Sequence, residues 1–396
     1  MYAWLRNNLK GDPIIWGAVI VLSLLSLAVV YSATGSLAYR KMDGNTEHYL
    51  FKHGLLLLGG LACMLLFHRI DYRYLRKLSR LALWVSMPLL AFTYLFGRSV
   101  NEANRWFTIP GLNQGFQPSD LAKLALITYL ASTLDKNQHR IDKPETLYPI
   151  LGWVVGICGL IALSNFSTAG MLLMTCLLLM LIGRVPFKFM GYLAALGALG
   201  GTVAFFVGQR GATLLSRIQA FAFGEKVPFQ AEQAYIAIAN GGIFGQGPGN
   251  SYQKDFLPHP YSDFIYAIIV EEWGFIGAIV VLALYLVLLY RGMVAVARSQ
   301  NAFAALLSAG LSFSLAIQAM LNMAVAVGLV PITGQPLPML SMGGTSLLFT
   351  GTSLGIILSV SRGDISQSLP APEGRRSTGP NTFRKPTAVR ATDGVL

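Results

Sequence analysis

Charge is what this chain has least of. Asp, Glu, Lys and Arg supply 12% of its 396 residues, while hydrophobic residues supply 54%. A soluble domain carries roughly 25% charged residues, so water-soluble folds are excluded. Cysteine is scarcer still: Cys63, Cys158 and Cys176 sit inside apolar runs without paired spacing, which leaves no disulfide framework and no cysteine metal cluster. His48, His53, His68, His139 and His259 show no ligand spacing either. Period-two alternation is missing from the apolar runs, which excludes a closed β-barrel and leaves helix, the other form that satisfies its backbone within lipid. Long-period repeats are also missing. The glycines of GGIFGQGPGN fit neither the Walker nor the dinucleotide spacing and read as turns.

What is present is a series of apolar runs of about 17 to 27 residues, enough to cross a hydrocarbon core of about 30 Å as helix. Ten spans are predicted: Ile14–Tyr31, Leu50–Phe67, Leu81–Phe96, Leu121–Leu134, Tyr148–Leu163, Ala169–Ile182, Phe189–Val207, Phe264–Leu289, Ala302–Val327 and Thr345–Val360. The expected fold is thus an all-α polytopic membrane protein over residues 1–362. Lys and Arg decide the orientation. Placing the N-terminus inside puts roughly twice as many of them on the cytoplasmic side, which predicts both termini cytoplasmic. The net charge of +12 then needs no nucleic acid, because a basic inner surface suits anionic lipid. The first span, behind Arg6 and Lys10, reads as an uncleaved anchor.

Most connections are short. The exception is an outer loop between the seventh and eighth spans, residues 208–262, in which ATLLSRIQAFAF and FQAEQAYIAIAN read as short amphipathic helices against the membrane. Residues 363–396, rich in Pro, Gly, Ser and Arg, read as a disordered basic cytoplasmic tail.

Buried charge needs a partner or a task. In LPHPYSDFIYAIIVEEWG, Pro258 and Pro260 stop any upstream helix, and Ser262 or Asp263 can cap the next one. The other reading of Asp263 is a carboxylate at the outer face that accepts a proton. Glu271 follows by about 12 Å along a helix and roughly 80° around it, and Glu272 points away from Asp263. The three cannot share one site, so at least one glutamate must be answered by another helix. In NEANRWFTIPGLNQGFQPSDLAKLALITYLA, Asp120 and Lys123 stand three apart on one helical face. They form either a structural ion pair or, through Lys123 with Arg105 and Trp106, a place for an anionic headgroup. VPITGQPLPMLSMGGTSLL is an outer loop of prolines and glycines, with Ser341 a polar contact candidate.

QPSDLAKLALI, GQGPGNSYQKDFLPHPYSDFIYAIIVEEWGFIG and PITGQPLPMLSMGGTSLL, in this order on ten spans, resemble the signature segments of the SEDS family (shape, elongation, division and sporulation). GQGPGNSYQK and PITGQPLP are more similar to its division branch than to its elongation branch. The resemblance implies a glycosyltransferase of the bacterial inner membrane that polymerises lipid II, the undecaprenyl-diphosphate-linked disaccharide peptide, at the division septum. It implies as partners a class B penicillin-binding protein and other division proteins of the membrane.

The family's essential aspartate falls on Asp263, and its membrane acid and lysine fall on Asp120 and Lys123, with Asp where Glu is commoner. Asn165, in SNFSTAG, stands where the family often has an acid, and Met342 where it often has Tyr. On this reading Asp263 deprotonates the acceptor hydroxyl, which attacks the donor anomeric carbon with inversion. Arg105, Lys123 and a divalent cation, Mg or Mn, offset the departing diphosphate. Trp106, Asp120, Arg217, Gln233 and Ser341 are the further substrate-contact candidates, and Glu271 a cavity or metal candidate; no organic cofactor is expected. Two rivals are consistent with the same charges and helices: a transporter of the lipid-linked precursor, and a noncatalytic division scaffold.

Overall fold

A computed structural model describes residues 10–35, 46–100, 103–108, 115–208, 211–223 and 227–368. Each predicted span is helical: α1 Pro13–Ala33, α2 Thr46–Arg69, α3 Tyr72–Phe96, α4 Pro118–Lys136, α5 Pro144–Ala162, α6 Phe166–Ile182, α7 Phe187–Val207, α10 Ile265–Arg298, α11 Ala302–Ala326 and α12 Ser346–Ser368. Two more, α8 Gly211–Phe223 and α9 Phe229–Gly241, lie where the amphipathic segments were expected. Among the described residues seven helices are long and apolar enough to cross a membrane, with Phe166–Ile182 apolar but shorter. The protein is a polytopic helical membrane protein.

The helices begin where their sequences say they should. Pro13, Pro118 and Pro144 occupy first-turn positions, where the missing N–H costs nothing. Asp12, Asp71, Asn165 and Asn301 cap with side-chain oxygens. Four expectations need correction. The chain is not purely helical, because β1 Arg98–Val100, β2 Ala103–Thr108 and β3 Gly115–Phe116 form a small antiparallel sheet in order 1-2-3. Helix α3 starts at Tyr72, nine residues before the apolar run, so Arg73, Arg76, Lys77 and Arg80 ride on helix rather than in a loop. Arg76 reaches Asp135 at 2.5 Å, which gives that extension a tertiary anchor. Helix α12 passes the expected boundary at 362 and ends at Ser368; the remainder of the tail lies outside the described residues. Neither Ser262 nor Asp263 caps α10, whose N-cap is Phe264.

Two backbone approaches shape the bundle. Helices α2 and α12 meet through Gly60, Gly351 and Gly355, and a Cβ on Gly351 would collide with the carbonyl of Gly60. Small residues four apart allow such contact in lipid. The second is a break at Gly274 (φ 66°, ψ −164°) inside α10. The groups freed there are paired with the glycine loop: Phe275 N donates to Gly242 O at 2.9 Å, Gln246 N to Glu271 O at 2.9 Å, and Gly247 N to Glu272 O at 3.0 Å. An interrupted helix is tolerable at membrane depth only when the backbone is satisfied in this way. The run predicted as plain turns therefore completes a broken helix. The first half of that helix, 265–273, carries the segment that ends in Asp263.

Candidate functional site

A cavity of about 650 Å³ opens where five parts of the chain converge: the 259–264 segment before α10, the 332–344 loop, one face of α8 and α9, Asn165 at the start of α6, and the strand region with Trp106 and Gln117. This is within the range of small-molecule sites, roughly 300–1,000 Å³. Asp263 is half-buried on its wall. Ser262 Oγ donates to Asp263 Oδ1 at 2.9 Å. Half of the remaining polar lining is amide, from Gln117, Asn165, Gln230 and Gln335; Thr213, Arg217, His259 and Tyr261 supply the other half. Trp106 packs its ring against Gly115 and towards Gly344, where a side chain on Gly115 would displace it. Amides, hydroxyls, an indole, one carboxylate and the Arg217 guanidinium form a surface suited to a hydroxyl-rich ligand.

The loops on either side of Asp263 are held from α11. Asn322, 1% exposed, donates from Nδ2 to Asp263 O at 2.8 Å and to Gln335 O at 2.7 Å. Gln318 donates to Pro336 O at 2.9 Å. Ser341 Oγ donates to Ser262 O at 2.6 Å and accepts from Leu337 N at 2.8 Å, and Met342 N donates to Tyr261 O at 2.9 Å. The two loops thus form one unit.

Arg217, on α8, lines the same cavity and donates from Nη1 to Ile332 O at 2.9 Å. Burial lowers its pKa and the charge of Asp263 acts against that, so the two side chains sense each other electrostatically. The Tyr261 phenol is pushed up, first by burial, then by Tyr49 and Asp263, and stays a neutral donor.

The site residues expected from sequence divide clearly. Asp263, Trp106 and Arg217 share the cavity. Arg105 lies on β2, but its side chain is outside the described residues. Asp120 and Lys123 form the expected ion pair at 2.8 Å, in a separate narrow cleft with Leu311, Gln318 and Phe349. Three candidates are displaced. Gln233 is off the cavity wall, where Gln230, one helical turn earlier, stands instead. Ser341 is 1% exposed and fixes loops rather than facing the cavity. Glu271 is fully buried away from it, with its carboxylate accepting from Ser251 Oγ and from Tyr252 N at 3.2 Å and Gln253 N at 3.2 Å. The need for a second helix is met at Glu272, which accepts from Ser32 Oγ of α1.

Sequence reading passed over Gln117, Thr213, Gln230, His259, Tyr261 and Gln335. The signal available was that polar residues cluster in the loops flanking Asp263. Among the described residues no group of three His, Cys, Asp or Glu side chains could hold a metal. Among the described residues Asp263 is the one carboxylate on the cavity wall. Mg or Mn takes an oxygen-rich shell, to which the described lining contributes one carboxylate with amide and hydroxyl oxygens around it.

Comparison with known proteins gives one family. The family model for FtsW, RodA and SpoVE, described as cell cycle protein, matches residues 13–365. The chain is 34% identical over 352 residues to a probable peptidoglycan glycosyltransferase FtsW of Halomonas elongata, covering 87% of this chain and 88% of that one. Among solved structures it is similar to a peptidoglycan synthase complex described as coordinating polymerization and crosslinking (TM-score 0.69, 26% identity, 89% of this chain and 98% of that chain). It is also similar to the rod shape determining protein RodA of Thermus thermophilus (TM-score 0.64, 26% identity, 90% and 98%).

Proposed function

The chain belongs to the FtsW, RodA and SpoVE family, and from that premise we propose that it polymerises lipid II as a peptidoglycan glycosyltransferase with Asp263 as the base. The observation that carries this reading is Asp263 on the wall of the 650 Å³ polar cavity, the single carboxylate there among the described residues. A polyprenyl diphosphate is already a competent leaving group, so the reaction needs no second carboxylate as general acid of the glycosidase kind. It needs a base for the acceptor hydroxyl and charge stabilisation for the diphosphate.

Asp263 takes the proton of the acceptor hydroxyl as that oxygen attacks the donor's anomeric carbon. The bond to the diphosphate breaks on the opposite side, and the configuration inverts. Ser262 orients the carboxylate and Arg217 offers positive charge to the phosphates. The amides engage the sugars. A divalent cation, in this proposal, arrives as a counterion of the lipid diphosphate and is not caged by the protein.

The same reading carries the finer features. It has ten spans with both termini cytoplasmic, the 208–262 loop outside, and a place in the bacterial inner membrane at the septum. Its partner is a transpeptidase of the class B penicillin-binding type, a reading supported by the likeness to a synthase complex that couples polymerization with crosslinking. The test uses the purified complex. Asp263→Asn should abolish glycan formation from lipid II while leaving the protein folded and partner-bound; undiminished polymer would remove Asp263 as the base. Polymer made from lipid II supplied only on the outward face separates this reading from precursor transport.

A further inference from the structure

Asp263 stands just before the half-helix 265–273, and Glu271 stands in its last turn. A carboxylate at the C-terminal end of a helix opposes the helix dipole, and Glu271 is also fully buried. Donors from one short segment hold it there. Its Oε2 accepts from Ser251 Oγ and from Gln253 N at 3.2 Å, and its Oε1 accepts from Tyr252 N at 3.2 Å. Ser251 Oγ itself accepts from Lys254 N at 3.2 Å, so its proton is free for Glu271.

This clasp closes a frame. One side is the half-helix, buried at every position from Ile265 to Glu272. The other side is the chain from 254 to 263. It begins in a tight turn, where Phe256 N and Leu257 N donate to Gln253 O at 3.1 and 3.0 Å. Leu257 is packed into the core, and Pro258 and Pro260 then fix φ along the short connection. Ser262 N donates back to His259 O at 3.1 Å. The two sides meet at Asp263, opposite the clasp. Asn322 and Ser341 grip that corner from α11 and the 332–344 loop, whereas the frame itself is closed by Glu271. An amide is a poor substitute there. Donors address both carboxylate oxygens, and an NH₂ in place of either one would face a donor.

We propose that Glu271 is a positioning residue, which by closing this frame sets where the Asp263 carboxylate stands in the cavity. This rests on the reading of Asp263 as the base. Arg217, Trp106 and Gln117 line the cavity from other elements. Opening the clasp therefore affects the rate of transfer more than the binding of lipid II.

The experiment is steady-state kinetics on lipid II with the transpeptidase complex. Glu271→Gln should lower kcat about tenfold or more, as a misplacement of about 1 Å can do, with KM held within about twofold. Adding Ser251→Asp to Glu271→Gln reverses the polarity of the clasp: the amide NH₂ then donates to a carboxylate at 251, which can also accept from Lys254 N as the serine did. The double variant should recover most of the lost kcat. Arg291→Met, which loosens the far end of the bundle, controls for lost stability and should keep its kcat. Should Glu271→Gln fail to fold, Ser251→Ala removes one donor and should lower kcat in the same way. Unchanged kcat in the clasp variants, an equal fall in Arg291→Met, or a folded double variant as slow as the single one overturns the proposal. Absence of polymer from wild type would instead strike the glycosyltransferase reading beneath it.

Discussion

Asn322 Nδ2 lies 2.8 Å from the main-chain oxygen of Asp263 and, from the same nitrogen, 2.7 Å from that of Gln335. One buried amide on α11 therefore holds both the segment that bears Asp263, the proposed base, and the loop opposite it. Replacing it with Leu, close in volume, leaves two carbonyls unpaired at about 1–3 kcal/mol each. Misplacement of the carboxylate then appears as lost rate, since about 1.4 kcal/mol of barrier is tenfold. Asn322→Leu should lower kcat for lipid II polymerisation at least about tenfold. Placed on top of Asp263→Asn it should add nothing, because both act through the same carboxylate. An additive loss would show that Asn322 works elsewhere.

Arg217 shares the cavity with Asp263 and is electrostatically coupled to it. Removing the guanidinium makes the ionised carboxylate harder to keep, because a nearby cation favours the charged form of an acid. The active form of a carboxylate base is the ionised one, so activity is lost as pH falls. In Arg217→Gln that acidic limb should move to higher pH, and kcat at neutral pH should fall about tenfold or more through loss of the proposed diphosphate contact. A pH–rate profile of the complex measures both. A reduced rate with an unmoved acidic limb would separate Arg217 from Asp263.

The far end of the bundle carries its own test. Asp12 caps α1 through Ile14 N at 2.9 Å and accepts from Arg291 Nε of α10 at 2.7 Å. The pair is largely enclosed, at 7% and 17% side-chain exposure. Breaking an enclosed pair from one side leaves an uncompensated charge, at roughly 3–5 kcal/mol. Arg291→Met should destabilise the detergent-solubilised protein by about 3 kcal/mol, and Asp12→Asn with Arg291→Met should recover part of that. Thermal unfolding of the four proteins in the cycle reads the coupling.

How far sequence carries depends on where each signal lives. The spans are legible because lipid demands continuous apolar runs, and every predicted run is helical. Asp263 is legible through the family resemblance, whose essential aspartate falls on it; the residues alone leave a helix cap and a base both open. Asn322 and Gln318 are not: a lone amide in an apolar helix looks the same whether it faces a neighbour, a cavity or a loop 13 or 18 residues on. Glu271 misleads for the opposite reason. Its partners come from Ser251, Tyr252 and Gln253, a segment with no helical periodicity to announce that it folds back. The β-sheet escapes because its strands are three, six and two residues long.

Gly274 is the other feature that composition conceals, since it breaks α10 within an apolar run that contains no proline. Its φ of +66° is a conformation that L side chains seldom adopt, and a Cβ there would collide with the carbonyl of Ile243. Gly245, on the facing loop, would in turn collide with the Glu272 carbonyl. The strain of such a conformation is of order 1–3 kcal/mol before any clash is counted. Gly274→Ala should therefore lower the unfolding temperature clearly and, by shifting the half-helix behind Asp263, reduce polymerisation more than tenfold. Gly200, on the lightly packed α7, is the control, because a Cβ there meets nothing within 4 Å. Gly200→Ala should be neutral or stabilising by up to about 1 kcal/mol, as Ala is the better helix former. Thermal unfolding and lipid II turnover measured side by side decide the matter. If the two alanine variants behave alike, the interlock at Gly274 does not hold the base in place.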